Sequence, residues 1–151
     1  MARLVTKQVE KAPQGSRFGI HLCLGDLGHR ALKTPATADP QMRLANALIR
    51  RWPQDRPLEF IHLPLSGGDQ PPVTSAGYYD PLRRLRVPAG TPVVAGIAHE
   101  EQSPADQAAV RALVEAALGH RTDIATACGL GRRTPEQALR AVDSMRALLD
   151  D

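Results

Sequence analysis

Two hydrophobic rhythms take turns along the chain. In "RFGIHLCL", residues 17–24, apolar side chains recur at every second position: Phe18, Ile20, Leu22 and Leu24 share one face, and Gly19, His21 and Cys23 share the other. That is the period of a strand. "PLEFIHLPL" predicts a second strand, with Leu58, Phe60 and His62 on one face. "TPVVAGIAH" predicts a third, so uniformly apolar that both of its faces are expected to be covered. "TDIATACGL" predicts a fourth.

Helical spacing fills the intervals. Residues 3–11 read as helical turns closed by Pro13 and Gly15. In "PQMRLANALIRRW", Met42, Ala45, Leu48, Ile49 and Trp52 form one stripe, with Asp39 as the expected N-cap and Pro40 at the first position. "YYDPLRRLRVP" suggests a short helix carrying Leu82 and Leu85. "SPADQAAVRALVEAAL" opens with Ser103 as N-cap, Pro104 at N1 and Asp106 at N3; its stripe is Val110, Leu113, Val114, Ala117 and Leu118. "TPEQALRAVDSMRALL" opens with a capping box, Thr134 with Gln137, before a stripe of Ala138, Ala141, Val142, Met145, Leu148 and Leu149. Residues 66–77, rich in Gly, Pro and Ser, read as a loop.

Strand then helix, four times over and without an internal repeat, predicts an α/β chain with a parallel sheet and a single domain spanning residues 1–151. In such sheets the ligand sits at the C-terminal ends of the strands.

Composition narrows the function. Aromatics are only 3% of the 151 residues, which argues against recognition of nucleic acid by base stacking. The net charge of +3 comes from dispersed pairs such as Arg50-Arg51, Arg83-Arg84 and Arg132-Arg133 rather than from a basic run, so no nucleic-acid partner is expected. No apolar stretch is long enough to cross a bilayer, and the first sixteen residues lack the apolar core of a signal peptide. A cytoplasmic location and no membrane partner are the expectation, and Cys23 and Cys128 are expected to act as thiols or metal ligands rather than as a disulfide.

The polar positions then fall into a pattern. His21 and Cys23 close the first predicted strand, His62 lies near the end of the second, His99 closes the third and Cys128 lies at the end of the fourth. Each strand thus delivers a histidine or a cysteine where an α/β sheet places its site. Positions i and i+2 of a strand point the same way, roughly 6.5–7 Å apart. Imidazole nitrogen and thiolate sulfur are the donors zinc prefers, at about 2.0–2.3 Å. Taken singly, each residue is as readily explained as core packing, and the long-range spacing is not that of a zinc finger.

"HLC", "LEFIH", "GIAH" and "ACGLGRR" together resemble the C-terminal half of the catalytic barrel of cobalamin-independent methionine synthases and their short relatives, in the methionine-synthase and uroporphyrinogen-decarboxylase-like superfamily. The resemblance runs from about residue 3 to residue 149. It implies half of a (β/α)₈ TIM barrel, strands five to eight, with four parallel strands each followed by a helix. It implies zinc held by His21, Cys23 and Cys128, with His62 where the family has a glutamate. Glu59 lies on the opposite strand face and is a poor substitute. It implies His99 as the general acid, a small thiol of the homocysteine type as substrate, and methyl-tetrahydrofolate as a possible methyl donor.

Four strands with two open edges imply a partner, either a second copy of the chain or a complementary half barrel. Two other readings stand beside the enzyme: a non-catalytic barrel fragment that serves as a scaffold or assembly domain, and a metal-free barrel enzyme with another substrate. Among smaller features, Asp26 is a candidate to orient a ligand histidine, and His29 and Arg30 lie in the same loop. Arg132 and Arg133 are candidates to hold an anion at the helix that follows "CGLGRRT", although a plain strand-to-helix turn explains that segment better. "SGGDQPP" lacks the lysine and spacing of a phosphate loop and reads as a loop near the mouth of the site.

Overall fold

In the structure, a computed structural model, residues 1–27, 30–31 and 35–149 are described. The elements are α1 (Ala2–Lys11), β1 (Phe18–His21), a short antiparallel ribbon of β2 (Asp26–Leu27) and β3 (Arg30–Ala31), α2 (Asp39–Ile49), β4 (Leu58–Pro64), α3 (Ala76–Tyr79) running into a 3₁₀ turn at Asp80–Arg84, β5 (Val93–Ala98), α4 (Pro104–Leu118), β6 (Asp123–Thr126) and α5 (Pro135–Leu149).

The main sheet has the order β1-β4-β5-β6, and every neighbouring pair in it is parallel. Spatial order therefore equals chain order, and β1 and β6 are the two edges. The expected α/β class, with four parallel strands in one sheet and helices between them, is met. Successive helices touch one another in turn: α1 with α2, α2 with the 3₁₀ turn, that turn with α4, and α4 with α5. They form one layer on one side of the sheet.

The sheet's two faces differ accordingly. Ile20, Ile61, Leu63, Val93, Ala95 and Ile97 are buried against Met42, Ala45, Leu48, Leu82, Val110 and Val114. The opposite face carries Gly19, His21, Phe60, His62 and Val94. His21 pairs in register with His62, and His62 with Val94. Phe60 is 41% exposed there. Its ring lies over Gly19, where a Cβ would fall 2.2 Å from the ring.

Local chemistry sets the helix ends. Ser103 caps α4 by accepting from the Asp106 N–H at 3.1 Å, and Gly119 closes it with φ +80°. Thr134 and Gln137 form the reciprocal capping box, at 2.9 and 3.3 Å. α2 starts one residue earlier than expected. Asp39 is already helical and Ala38 is the N-cap, because the Thr37 hydroxyl takes the Asp39 N–H at 3.3 Å and frees the Asp39 carboxylate to pair with Arg84 at 2.6 Å.

Three more expectations shift. A register irregularity between Phe18 and Gly19 skips Glu59, so Leu58 packs toward the core while Phe60 faces out. Leu149, expected in the α5 stripe, is 65% exposed, whereas Ala141 and Leu148 are buried. Val94 is only half-buried within an otherwise buried β5, because none of the helices among the described residues covers its face of the sheet.

Candidate functional site

β1 ends at His21, and the chain stays close to β4 for one more residue: the Leu22 N–H donates to the His62 carbonyl at 3.1 Å. Cys23 follows just outside the strand, exposed, its sulfur accepting the Gly25 N–H at 3.3 Å. Across the sheet, β6 ends at Thr126. The Thr126 hydroxyl donates to the Cys128 carbonyl at 2.6 Å, which fixes the turn that presents the half-buried Cys128.

These segments converge. A ligand atom from each of His21, Cys23 and Cys128 lies within 4.8 Å of the others. The two thiols are close enough to interact directly. Burial pushes the Cys128 thiol up, Cys23 pushes it further, and Arg133 opposes both. One imidazole and two thiols form a soft N/S donor set of the kind zinc takes, so these residues fit such an ion as three of four tetrahedral ligands.

His62 is placed differently. Its Nδ1 lies 2.8 Å from the Nδ1 of His21, with ring centroids 4.7 Å apart, but it is outside the three-residue ligand group. Its Nε2 is buried and makes no hydrogen bond among the described residues. Burial, then the neighbouring His21, hold its pKa down to about 4, with a small opposing pull from the Thr126 backbone. Burial also lowers His21. Both rings are therefore neutral at neutral pH, the form in which imidazole ligates metals or orients another ring. The His62 ring has room only because residue 96 is glycine. A Cβ there would fall 2.8 Å from the His62 Nε2 and 3.0 Å from backbone atoms of Pro64 and Ala127.

His99 lies one residue beyond β5 and is 1% exposed. Its Nδ1 accepts the Glu101 N–H at 3.2 Å, which leaves the proton on Nε2. Burial lowers its pKa most, the adjacent Glu100 opposes that, and Arg133 adds to it. Glu59, on the other strand face, pairs with Arg17 at 2.5 Å and stays away from the centre, as its position predicts. His120 is exposed beyond α4, with its Nδ1 2.7 Å from the Arg121 carbonyl oxygen. His29 and the side chains of Asp26 and Arg30 lie outside the described residues.

A groove of about 550 Å³ runs along the free edge of β1, between it and α1 and α2. Val5, Val9, Phe18 and Trp52 line it, and it reaches His21 and Cys23.

One feature escaped the sequence reading. Glu100 and Arg133 form a buried ion pair, with side chains 3% and 0% exposed and the Arg133 Nε 2.9 and 3.0 Å from the two carboxylate oxygens. Burial pushes Glu100 up, but its own backbone N–H, Arg133 and His99 outweigh this and hold it below the usual carboxylate range. An acidic residue directly after a strand-end histidine, with a paired arginine before a capped helix, was the available signal.

Comparison with family models, curated proteins and solved structures finds no match. The chemistry of the site therefore rests on its own geometry.

Proposed function

We propose that this chain carries the metal centre of a zinc-dependent thiol methyltransferase of the methionine-synthase type. The single observation behind this is the convergence of His21, Cys23 and Cys128 within 4.8 Å at the ends of two strands far apart in sequence. His21, Cys23 and Cys128 would hold the ion. When bound, zinc would supply a Lewis acid that keeps a small thiol substrate in its thiolate form at neutral pH. His62 buttresses His21 through the 2.8 Å contact between their Nδ1 atoms and is the candidate for a fourth position. His99 keeps its proton on Nε2 and is the candidate acid for the departing methyl donor, for which methyl-tetrahydrofolate is the first choice. The groove along β1 gives a small molecule a route to His21 and Cys23.

The sheet reads as half of a (β/α)₈ barrel. Sequential strand order, one helical layer and two free edges support this. Two copies would bring ten helices to eight strands, since each copy has five. A complementary half with four strands and three helices suits closure better than a second copy. The exposed Phe60 and the uncovered His21–His62 face also favour a second reading, an assembly domain whose main task is to receive that partner.

The test is metal content by elemental analysis, with mass by light scattering on the same sample. About one zinc per chain, lost in Cys23→Ser and in Cys128→Ser, supports the centre. A well-folded protein that takes up no zinc on reconstitution sinks it and leaves the assembly reading or a metal-free enzyme. Zinc-dependent transfer of a methyl group from methyl-tetrahydrofolate to homocysteine, with the complementary half present, tests the reaction.

A further inference from the structure

The helical layer gathers positive charge that the sequence scatters. α2 turns Met42, Ala45 and Leu48 into the core. Arg43, Asn46, Ala47 and Arg50, spaced i, i+3, i+4 and i+7, share a second face of the helix, and that face meets the 3₁₀ turn Asp80–Arg84. Asn46 staples the turn to the helix: its Nδ2 donates to the Arg84 carbonyl at 2.7 Å and its Oδ1 accepts the Arg86 N–H at 2.9 Å. At the start of α2, Asp39 holds Arg84 Nη2 at 2.6 Å. Arg43, Arg50 and Arg84 thereby line one cleft of about 390 Å³, together with Asp39, Asn46 and Ala47.

The charges in this cleft do not balance. Its lining has three guanidinium groups and one carboxylate, Asp39, which is taken up by Arg84. Arg43 and Arg50 are exposed and have no acidic partner among the described residues. Seven positions of helix set them roughly 10 Å apart along its axis, close enough to repel across about one Debye length. The methyl group of Ala47 lies between them and leaves the space open. An anion that bridges the two arginines relieves the repulsion, and the planar guanidinium fork matches the oxygens of phosphate two at a time. No aromatic side chain is among the described residues that line the cleft, so it offers nothing on which a nucleobase could stack.

We infer that Arg43, Arg50 and Arg84 form a binding cleft for a small anion that carries two or more phosphate groups. Arg43 and Arg50 each take one group, and the hollow over Ala47 receives the chain that joins them. Arg84, fixed by Asp39, adds positive potential at the third side. A single phosphate engages one fork fully and the other poorly, so the cleft selects for linked phosphates. It shares no residue with His21, Cys23, Cys128, His62 or His99, and it belongs to the helical layer rather than to the open face of the sheet. It stands or falls independently of the metal and of the methyl-transfer reading.

The experiment is calorimetric titration of the full chain with inorganic tripolyphosphate, in buffer free of divalent cations and at constant ionic strength. Orthophosphate, citrate and a hexaglutamate peptide are titrated alongside. Saturable one-to-one binding of tripolyphosphate is expected, at least about tenfold tighter than orthophosphate, the value of one further charge-assisted contact. Arg43→Gln and Arg50→Gln change exposed side chains and should each weaken it about tenfold, with the circular dichroism spectrum unchanged. Arg3→Gln removes the same charge from α1 and should leave the affinity as it was. No saturation with tripolyphosphate overturns the cleft, as does full affinity in the folded Arg43→Gln/Arg50→Gln double variant. An equal loss in Arg3→Gln means attraction by net charge alone and also overturns it. Tighter binding of citrate or of the acidic peptide overturns the phosphate assignment.

Discussion

The Nδ1 atoms of His21 and His62 lie 2.8 Å apart, so one imidazole donates to the other and the pair shares a single proton between those nitrogens. The two residues are register partners on adjacent parallel strands. His62 therefore fixes the orientation and tautomer of a candidate ligand. Partners of this kind typically carry a 10–100-fold share of metal affinity. His62→Ala is expected to keep one zinc per chain but to bind it at least about tenfold more weakly, measured by competition with a chromophoric chelator. Unchanged affinity would show that the pair is packing alone.

Gly96 leaves the space the His62 ring occupies. Gly96→Ala would set a methyl group 2.8 Å from His62 Nε2 and 3.0 Å from two backbone atoms. The ring can swing away but the backbone cannot, so overpacking should cost about 1–3 kcal/mol, read from urea unfolding. Zinc affinity should fall with it, as His62 loses its place against His21. Full stability in this variant would contradict the packing described.

Arg133 and Glu100 are an ion pair taken almost wholly out of water. Removing one member leaves the other charged and buried, at about 3–5 kcal/mol, whereas removing both costs far less. Arg133→Met should destabilise strongly, and Arg133→Met combined with Glu100→Leu should recover most of the loss. Additive losses in this double-mutant cycle would mean that the two side chains are not coupled.

Acid should unfold the metal-free protein in two stages. The pKa of His99 is lowered by folding, mainly through burial, so its contribution is complete above its ordinary value of 6.5 and is lost as pH falls toward the depressed folded value. Glu100 is also held below its ordinary value of 4.5, so its contribution is present above that pH and is lost as pH falls through the folded value. Both signs point the same way: stability declines on acidification. Thermal melts from pH 8 to pH 3 should show His99→Asn flattening the upper part of the decline and Glu100→Gln the lower. A midpoint that holds steady from pH 7 to pH 4 would refute this.

The apolar rhythm by itself determined the element order, the parallel sheet, the α4 cap at Ser103 and the α5 capping box. Those features depend on neighbours within a few residues, whose side chains and backbone interact whatever the rest of the chain does. It also put His21, Cys23 and Cys128 at strand ends, because a parallel sheet brings its C-terminal edges to one side. Only the tertiary structure decided which of those groups meet. The register of β1 on β4 set His62 against His21 instead of within the ligand group, and the Phe18–Gly19 irregularity turned Leu58 inward, away from the face it was expected to share with Phe60 and His62. The Glu100–Arg133 pair, and the bond from Arg133 to the Gly68 carbonyl, join residues thirty or more positions apart. No local preference governs such a pair; it exists because β5, the loop after β4 and the turn before α5 close over the same volume and exclude water from it.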